Sequence, residues 1–209
     1  MKAVAISPVI SMVIALSAVI ALSFAPVPAL CQQDATATVQ AHVDSVLKVL
    51  GNPALKGPKG EERKRVEVKA EADKLFDFVE LSKRTLGLSW NRFSIDQRKE
   101  FVALYKQLLE ETYMDRLMTY AGEKMTFSRP MPLDSNTVEV KSELHVKTGP
   151  VALVFRLINE GGQWKVYDVV IEGVSLITNY RSQFREILAN RDPAALLDTL
   201  RKTVGKGPK

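Results

Sequence analysis

"WKVYDVVIEGVSLITNYRSQF", residues 164–184, decides the fold, because its period changes partway along. It begins like a strand. Strict alternation would put Trp164, Val166, Val170 and Val174 on one face and Tyr167, Val169 and Ile171 on the other. Such a strand is apolar on both faces and needs cover on both. Gly173 and Ser175 then interrupt, and Leu176, Tyr180 and Phe184 recur at helical spacing.

The period of two also holds upstream. Strands fit residues 123–129, 137–147, 151–158 and 163–172. In the second, Val138, Val140, Leu144 and Val146 alternate with Glu139, Lys141, Glu143 and His145. "PMPLDSN", "KTGP" and "NEGGQ" are turn sequences, so the spacing predicts an antiparallel meander. "VALVFRLI" alternates poorly, so the third strand also wants cover on both faces. Downstream, a helix is expected over 175–189 with Ser175 as its cap, and another from Asp192-Pro193.

The N-terminal half reads as helices. Val39, Val43, Val46, Leu47 and Leu50 make a stripe over 36–50. A second helix is expected from near Glu61 through "LFDFVELSKRTLG" to Gly87. A third follows Ser94 and Gln97, which have capping-box spacing. Phe101, Leu104, Tyr105, Leu108, Leu109, Tyr113 and Leu117 line it, and Gly122 is expected to end it. Helices, then sheet, then helices give an α+β fold with a four-stranded antiparallel sheet and about five helices.

The chain has 209 residues, 46% of them hydrophobic and 25% charged, which suits one globular domain. The net charge is +5 and the pI near 9.3, but basic residues interleave with acids, as in "KGEERKRVEVKAEADK". Nucleic acid is therefore not expected as a partner. Residues 9–25 are apolar apart from serines, and "PVPALCQQDA" follows. This reads as a secretory signal peptide over 1–31, cut after Cys31, with a retained membrane anchor as the alternative. Lipid attachment at Cys31 is disfavoured, because Pro28 and Leu30 stand where a Leu and a small residue are needed. The remainder divides into one domain, 32–204, and a basic tail, 205–209. Cleavage leaves no cysteine, so the core alone must stabilise the fold. His42 and His145 lack metal-ligand spacing.

Catalytic patterns are missing: no G-x-S-x-G, P-loop or dinucleotide fingerprint occurs. Asp168 and Glu172, four apart on one strand face, would have Cα atoms about 13 Å apart. Paired glycosidase carboxylates stand about 5–9.5 Å apart. Neither catalysis nor a cofactor is expected. Aromatic residues crowd both halves: Phe76, Phe78, Trp90, Phe93, Phe101, Tyr105 and Tyr113 in the helices, then Phe155, Trp164, Tyr167, Tyr180 and Phe184. They read either as plain core or as the wall of an apolar cavity between sheet and helices.

Residues 164–184 resemble the signature of the MlaC family, the toluene-tolerance proteins, which are periplasmic phospholipid-binding proteins associated with ABC transport. "LFDFVELSKRTLGLSWNRFSIDQRKEFVALYKQLLEETYMDRL" is similar to the family's Phe-Asp, Leu-Gly-x-x-Trp and Gln-x-x-x-Phe pattern. The resemblance covers about residues 36–200. It implies an NTF2-like cone whose curved sheet and helices surround an apolar cavity, with phospholipid as cargo. It also implies a monomeric periplasmic carrier that helps maintain outer-membrane lipid asymmetry. The implied partners are an outer-membrane lipoprotein–porin complex and an inner-membrane ABC transporter bearing an MCE-domain subunit. Carried over position by position, Trp90, Phe101, Tyr105, Val174, Leu176 and Tyr180 become candidate pocket lining. Phe155 falls where many relatives have Tyr, which removes a hydroxyl. Arg181 is a candidate for the lipid phosphate. Three alternatives stay open: a hopanoid-associated lipid-binding branch, an NTF2-like enzyme using Asp168, and an interaction module with a filled core.

Overall fold

Ser94 caps the longest of the described helices, α4 (Ile95–Met118). Its hydroxyl accepts from the Gln97 N–H at 3.2 Å, and the Gln97 side chain accepts from the Ser94 N–H at 2.9 Å. This is the reciprocal box that the spacing predicted. Replacing Ser94 by Ala is expected to cost about 1 kcal/mol in a urea titration, while Ser94→Thr stays close to wild type. The helix ends at Met118, short of Gly122, because the Thr119 N–H already bonds back to the carbonyls of Arg116 and Leu117. The structure, a computed structural model, describes residues 29–120 and 122–205. Nearly all of the expected signal peptide and the last four residues of the expected tail lie outside them.

Helix α1 (Ala29–Leu50) begins before the expected 36, so the expected cut after Cys31 falls in its first turn. The helix expected over 61–87 is two helices, so the described residues form six α-helices where five were expected. The two are α2 (Gly57–Leu75) and α3 (Phe78–Leu86), followed by a 3-10 turn, Gly87–Arg92. Between them Phe76 turns extended, with φ −88° and ψ 143°. Asp77 restarts the helix by accepting from the N–H groups of Val79 and Glu80 at 2.9 and 2.8 Å. The physical reason lies far away in sequence. Phe76 forms an isolated parallel bridge with Val166, and the Asp77 N–H donates to the Val166 carbonyl at 2.9 Å.

The four expected strands are β1 (Lys124–Phe127), β3 (Thr137–Val146), β4 (Gly149–Glu160) and β5 (Gln163–Ile171). Two-residue strands β2 (Met131–Pro132) and β6 (Val174–Ser175) extend the sheet. All pairs are antiparallel, in the order β1-β3-β4-β5-β6, with β2 also on β3. The sheet is open, with β1 and β6 at its ends, and is not a closed cone. Helices α5 (Leu176–Ala189) and α6 (Pro193–Thr203) follow. Ser175 and Asp192 cap them as expected, accepting from Thr178 N–H at 3.1 Å and Ala195 N–H at 2.9 Å.

The strict alternation read into β5 fails at one residue. Arg156 pairs with Asp168, but its neighbour Leu157 pairs with Val166, so Tyr167 is an extra residue. This bulge shifts the period by one. Trp164, Val166, Val169 and Ile171 therefore share a face, and Val169 and Ile171 are not opposite Trp164 and Val166. That face packs under α1 and the end of α2, through Ala35, Val39 and Leu75. The other face carries Asp168 and Arg156, and a small cluster of Ile158, Tyr167 and Ile177 covers part of it. A separate helical core joins α3, α4, α5 and α6.

Candidate functional site

With the bulge placed, the covered sheet face is almost wholly apolar. Val138, Leu157 and Val166 face one another across the strands, as do Val140, Phe155 and Val169. All six are buried. One row further along, Phe127, Ser142, Leu153, Ile171 and Val174 align across all five neighbouring strands. Here burial is uneven: Ser142 stays buried in the middle of the row, Phe127, Leu153 and Ile171 are half-buried, and Val174 is 59% exposed. Tyr113 from α4 and Val43 from α1, both half-buried, pack against the same cluster. The opposite end is closed by the elbow between α2 and α3, where Phe76 bridges to Val166 and Lys165 Nζ donates to the Lys74 carbonyl at 2.5 Å. The apolar face thus has one sealed end and one open end.

Helix α1 covers this face with small side chains. Ala35 and Val39 are fully buried there, and Val43 is partly so. Its C-terminal half is anchored elsewhere, with Leu50, Val46 and Val49 packing on Val68 and Met114. Polar groups also fasten α1, and at its C-terminal end Lys64 Nζ donates to the Leu50 carbonyl at 2.6 Å. Thr36 Oγ1 donates to the Ser128 carbonyl at 3.4 Å, and His42 Nδ1 lies 2.8 Å from Glu71 Oε2 on α2. Hydrogen bonds from Lys74 and His42 hold Glu71 below the usual carboxylate range.

The eight candidates divide among different environments. Phe101, Tyr105 and Tyr180 belong to the helical core, with Phe184. Tyr105 packs edge-on to Tyr180 and Phe184 at centroid distances of 5.3 Å, and Phe101 meets Phe184 at 5.5 Å and 83°. Burial pushes the Tyr105 hydroxyl well above the usual tyrosine range. Trp90 is half-buried in the 3-10 turn with the Arg98 guanidinium over its ring, and Arg98 Nε donates to the Trp90 carbonyl at 3.1 Å. Phe155 and Leu176 lie in the cluster under α1. Val174 stands exposed at the hairpin tip. Arg181 donates to the Arg84 carbonyl at 2.7 Å. The resemblance did not supply Leu153, Ile171, Phe127 and Tyr113. Their signal, a shared row at the open end, needs the register to be known.

Asp168 is 1% exposed on the opposite face of the sheet. It accepts from Ser175 Oγ at 2.7 Å, the Ile177 N–H at 3.2 Å and Arg156 Nη1 at 3.1 Å. These donors tie β4, β5 and the start of α5 together. Glu172, expected on the same strand face, instead sits in the turn after β5 at φ +48°, with Gly173 at φ +82°. Its carboxylate accepts from the Ala152 N–H at 2.5 Å, which holds the turn. The two carboxylates do not share a site.

The apolar side chains between α1 and the sheet, where the cavity was expected, form one packed cluster. Two surface concavities lie elsewhere. One, of about 230 Å³ between α2 and α4, is lined by charged residues such as Arg65, Lys69 and Glu110. The other, of about 370 Å³, flanks the α2–α3 elbow at Asp73, Phe76, Phe78 and Lys165. Neither includes any of the eight candidates. Among the described residues no group of three or more His, Cys, Asp or Glu is placed to hold a metal ion. None of their helices is long and apolar enough to cross a membrane.

An open antiparallel sheet whose apolar face is covered by α1, the end of α2 and side chains from α4 and α5 defines an α+β protein. The family model for the MlaC protein matches residues 40–202, and the chain belongs to that family. It is 27% identical over 128 residues to the intermembrane phospholipid transport system binding protein MlaC of Haemophilus influenzae, and 26% over 110 residues to the toluene tolerance protein ttg2D of Pseudomonas putida. These matches take in 59% and 52% of this chain, which spans 60% and 51% of the two relatives. A solved structure of the phospholipid-binding protein from Ralstonia solanacearum, in complex with a phospholipid, superposes with a TM-score of 0.72. That match has 27% identity and covers 80% of this chain and 95% of the other.

Proposed function

We propose that this protein is a periplasmic phospholipid carrier whose acyl tails lie between α1 and the apolar face of the sheet. The observation that carries the reading is the one-ended face: deeply buried from Val166 to Phe155, half-exposed at Leu153 and Ile171. Tails enter from the open row as α1 lifts away, and Phe155, Leu176, Val169 and Val140 contact them further in. The names of its relatives and the bound phospholipid of the Ralstonia protein support this class of cargo.

The energetics suit a carrier. Each buried methylene is worth about 0.8 kcal/mol relative to water, so two 16-carbon tails are held by roughly 25 kcal/mol against aqueous solution. Against a bilayer the gain nearly vanishes, because the tails are already in oil. Cargo is retained in transit and released at a membrane complex, so direction comes from the partners. Those partners are, on the family resemblance, an outer-membrane lipoprotein–porin complex and an inner-membrane ABC transporter with an MCE-domain subunit. Carriage rather than catalysis is favoured by Asp168, whose carboxylate faces away from the interior and is engaged by three donors.

Protein purified from a bacterial periplasm is expected to yield about one phospholipid per chain in an organic extract analysed by mass spectrometry. Leu153→Arg places a charge in the open row and is expected to remove most of that lipid while the circular dichroism spectrum is kept. Wild-type protein that neither carries phospholipid nor takes it up from vesicles would overturn the reading.

A further inference from the structure

We infer that Trp164 is the floor of the acyl slot and sets the longest tail the protein carries; this rests on the lipid-carrier reading above. Trp164 pairs with Asn159 in the last row of the apolar face, one row beyond Leu157 and Val166. It is the largest side chain of the cluster under α1 and is 7% exposed.

Three features make this end fixed while the rest can part. The elbow between α2 and α3 is hydrogen-bonded to β5 beside Trp164, through Asp77 N–H to the Val166 carbonyl at 2.9 Å. Lys165 Nζ donates to the Lys74 carbonyl, tying the end of α2 to the residue that follows Trp164. Beyond Trp164 the strands turn at Gly161 and Gly162, and the Asn159 side chain accepts from the Gly162 N–H at 3.1 Å. By contrast, α1 meets the face through the small side chains of Ala35, Val39 and Val43, and its hydrogen bond beside the open row, Thr36 Oγ1 to the Ser128 carbonyl, is long at 3.4 Å and exposed.

The dimensions fit a single tail length. Six residue steps along β4 separate Leu153 in the open row from Asn159, the partner of Trp164. At about 3.3 Å per residue, the slot is about 20 Å long. Half of a bilayer's hydrocarbon core is about 15 Å thick, and an extended tail is somewhat longer than that. A tail too long for the slot leaves methylenes outside in water, each weakening retention by about fourfold.

The test uses the full mature chain, stripped of lipid and incubated with vesicles holding equal amounts of phosphatidylglycerol with 14-, 16-, 18- and 20-carbon tails. Mass spectrometry of the re-isolated protein gives the chain-length profile. Wild type is expected to show a cutoff, Trp164→Ala to move it at least two carbons longer, and Trp164→Phe to keep it near wild type. Should Trp164→Ala fail to fold, Trp164→Leu keeps an apolar side chain of smaller volume and is expected to shift the profile in the same direction. A folded Ala or Leu variant that loads lipid with the wild-type profile overturns the floor while leaving the carrier reading intact. Wild-type protein that loads no lipid overturns both.

Discussion

Asp168→Ala is expected to lower stability by about 3–5 kcal/mol, a large share of what holds a domain of this size together. The loss comes from what the carboxylate leaves behind. Ser175 Oγ and the Ile177 N–H, both buried, lose their acceptor, and Arg156 keeps the more distant Glu139 at 3.7 Å. A buried donor without a partner costs about 1–3 kcal/mol, and an orphaned charge costs more. The Nε of Arg156 is already buried without a hydrogen-bond partner, but the side chain is 37% exposed, so water offsets part of the guanidinium's loss and the two buried donors carry most of the cost. Urea titration of wild type, Asp168→Ala and Asp168→Asn checks this. The Asn variant is expected to fall between the other two, since one oxygen still accepts from Ile177. A loss below about 1 kcal/mol for Ala would show that the three donors find water or each other.

Phe101→Ala is expected to cost about as much, 3–5 kcal/mol, but for a different reason. Phe101 is fully buried, with ring neighbours Phe93, Tyr105 and Phe184 at centroid distances of 5.5–5.7 Å. Removing the ring leaves a void among side chains from α4 and α5 that cannot collapse without moving whole helices. The lipid load per folded molecule is expected to stay at the wild-type value, because the tails are assigned to the sheet face. Denaturation and extracted lipid, measured on the same preparation, separate the two effects. A Phe101→Ala protein that folds but comes out lipid-free would move the tails into the helical core.

What could be read in the sequence follows the range of the interaction concerned. Ser94 with Gln97, Ser175 with Thr178, and Asp192 with Pro193 are local chemistry, and each helix starts where its cap predicted. The meander was legible from its turns. The bulge at Tyr167 was not, since it is a property of two strands, and Val166-Tyr167-Asp168 looks regular until Leu157 is set opposite. Nor was the break at Phe76, whose cause is Val166, 90 residues downstream by number. The surroundings of the candidate site residues were illegible for the same reason. Phe101 and Phe155 are both buried phenylalanines, and nothing in the residue itself says that one belongs to a packed helical core and the other to the face beneath α1.

Helix α1 comes early in the chain, yet the surface it covers is made much later: Thr36 reaches Ser128, 92 residues on, and Val39 meets a cluster that includes Val166 and Val169. Loop closure over such distances is slow compared with hairpin formation, so the meander can assemble while α1 waits. Its settling onto the sheet is then expected late in folding, and substitutions at Ala35 or Val39 are expected to speed unfolding more than they slow folding. On the proposed carrier reading, admitting a lipid would retrace that step in reverse, and a substitution on the solvent side of α1 that hastens its local unfolding would quicken cargo exchange without altering the apolar sheet face.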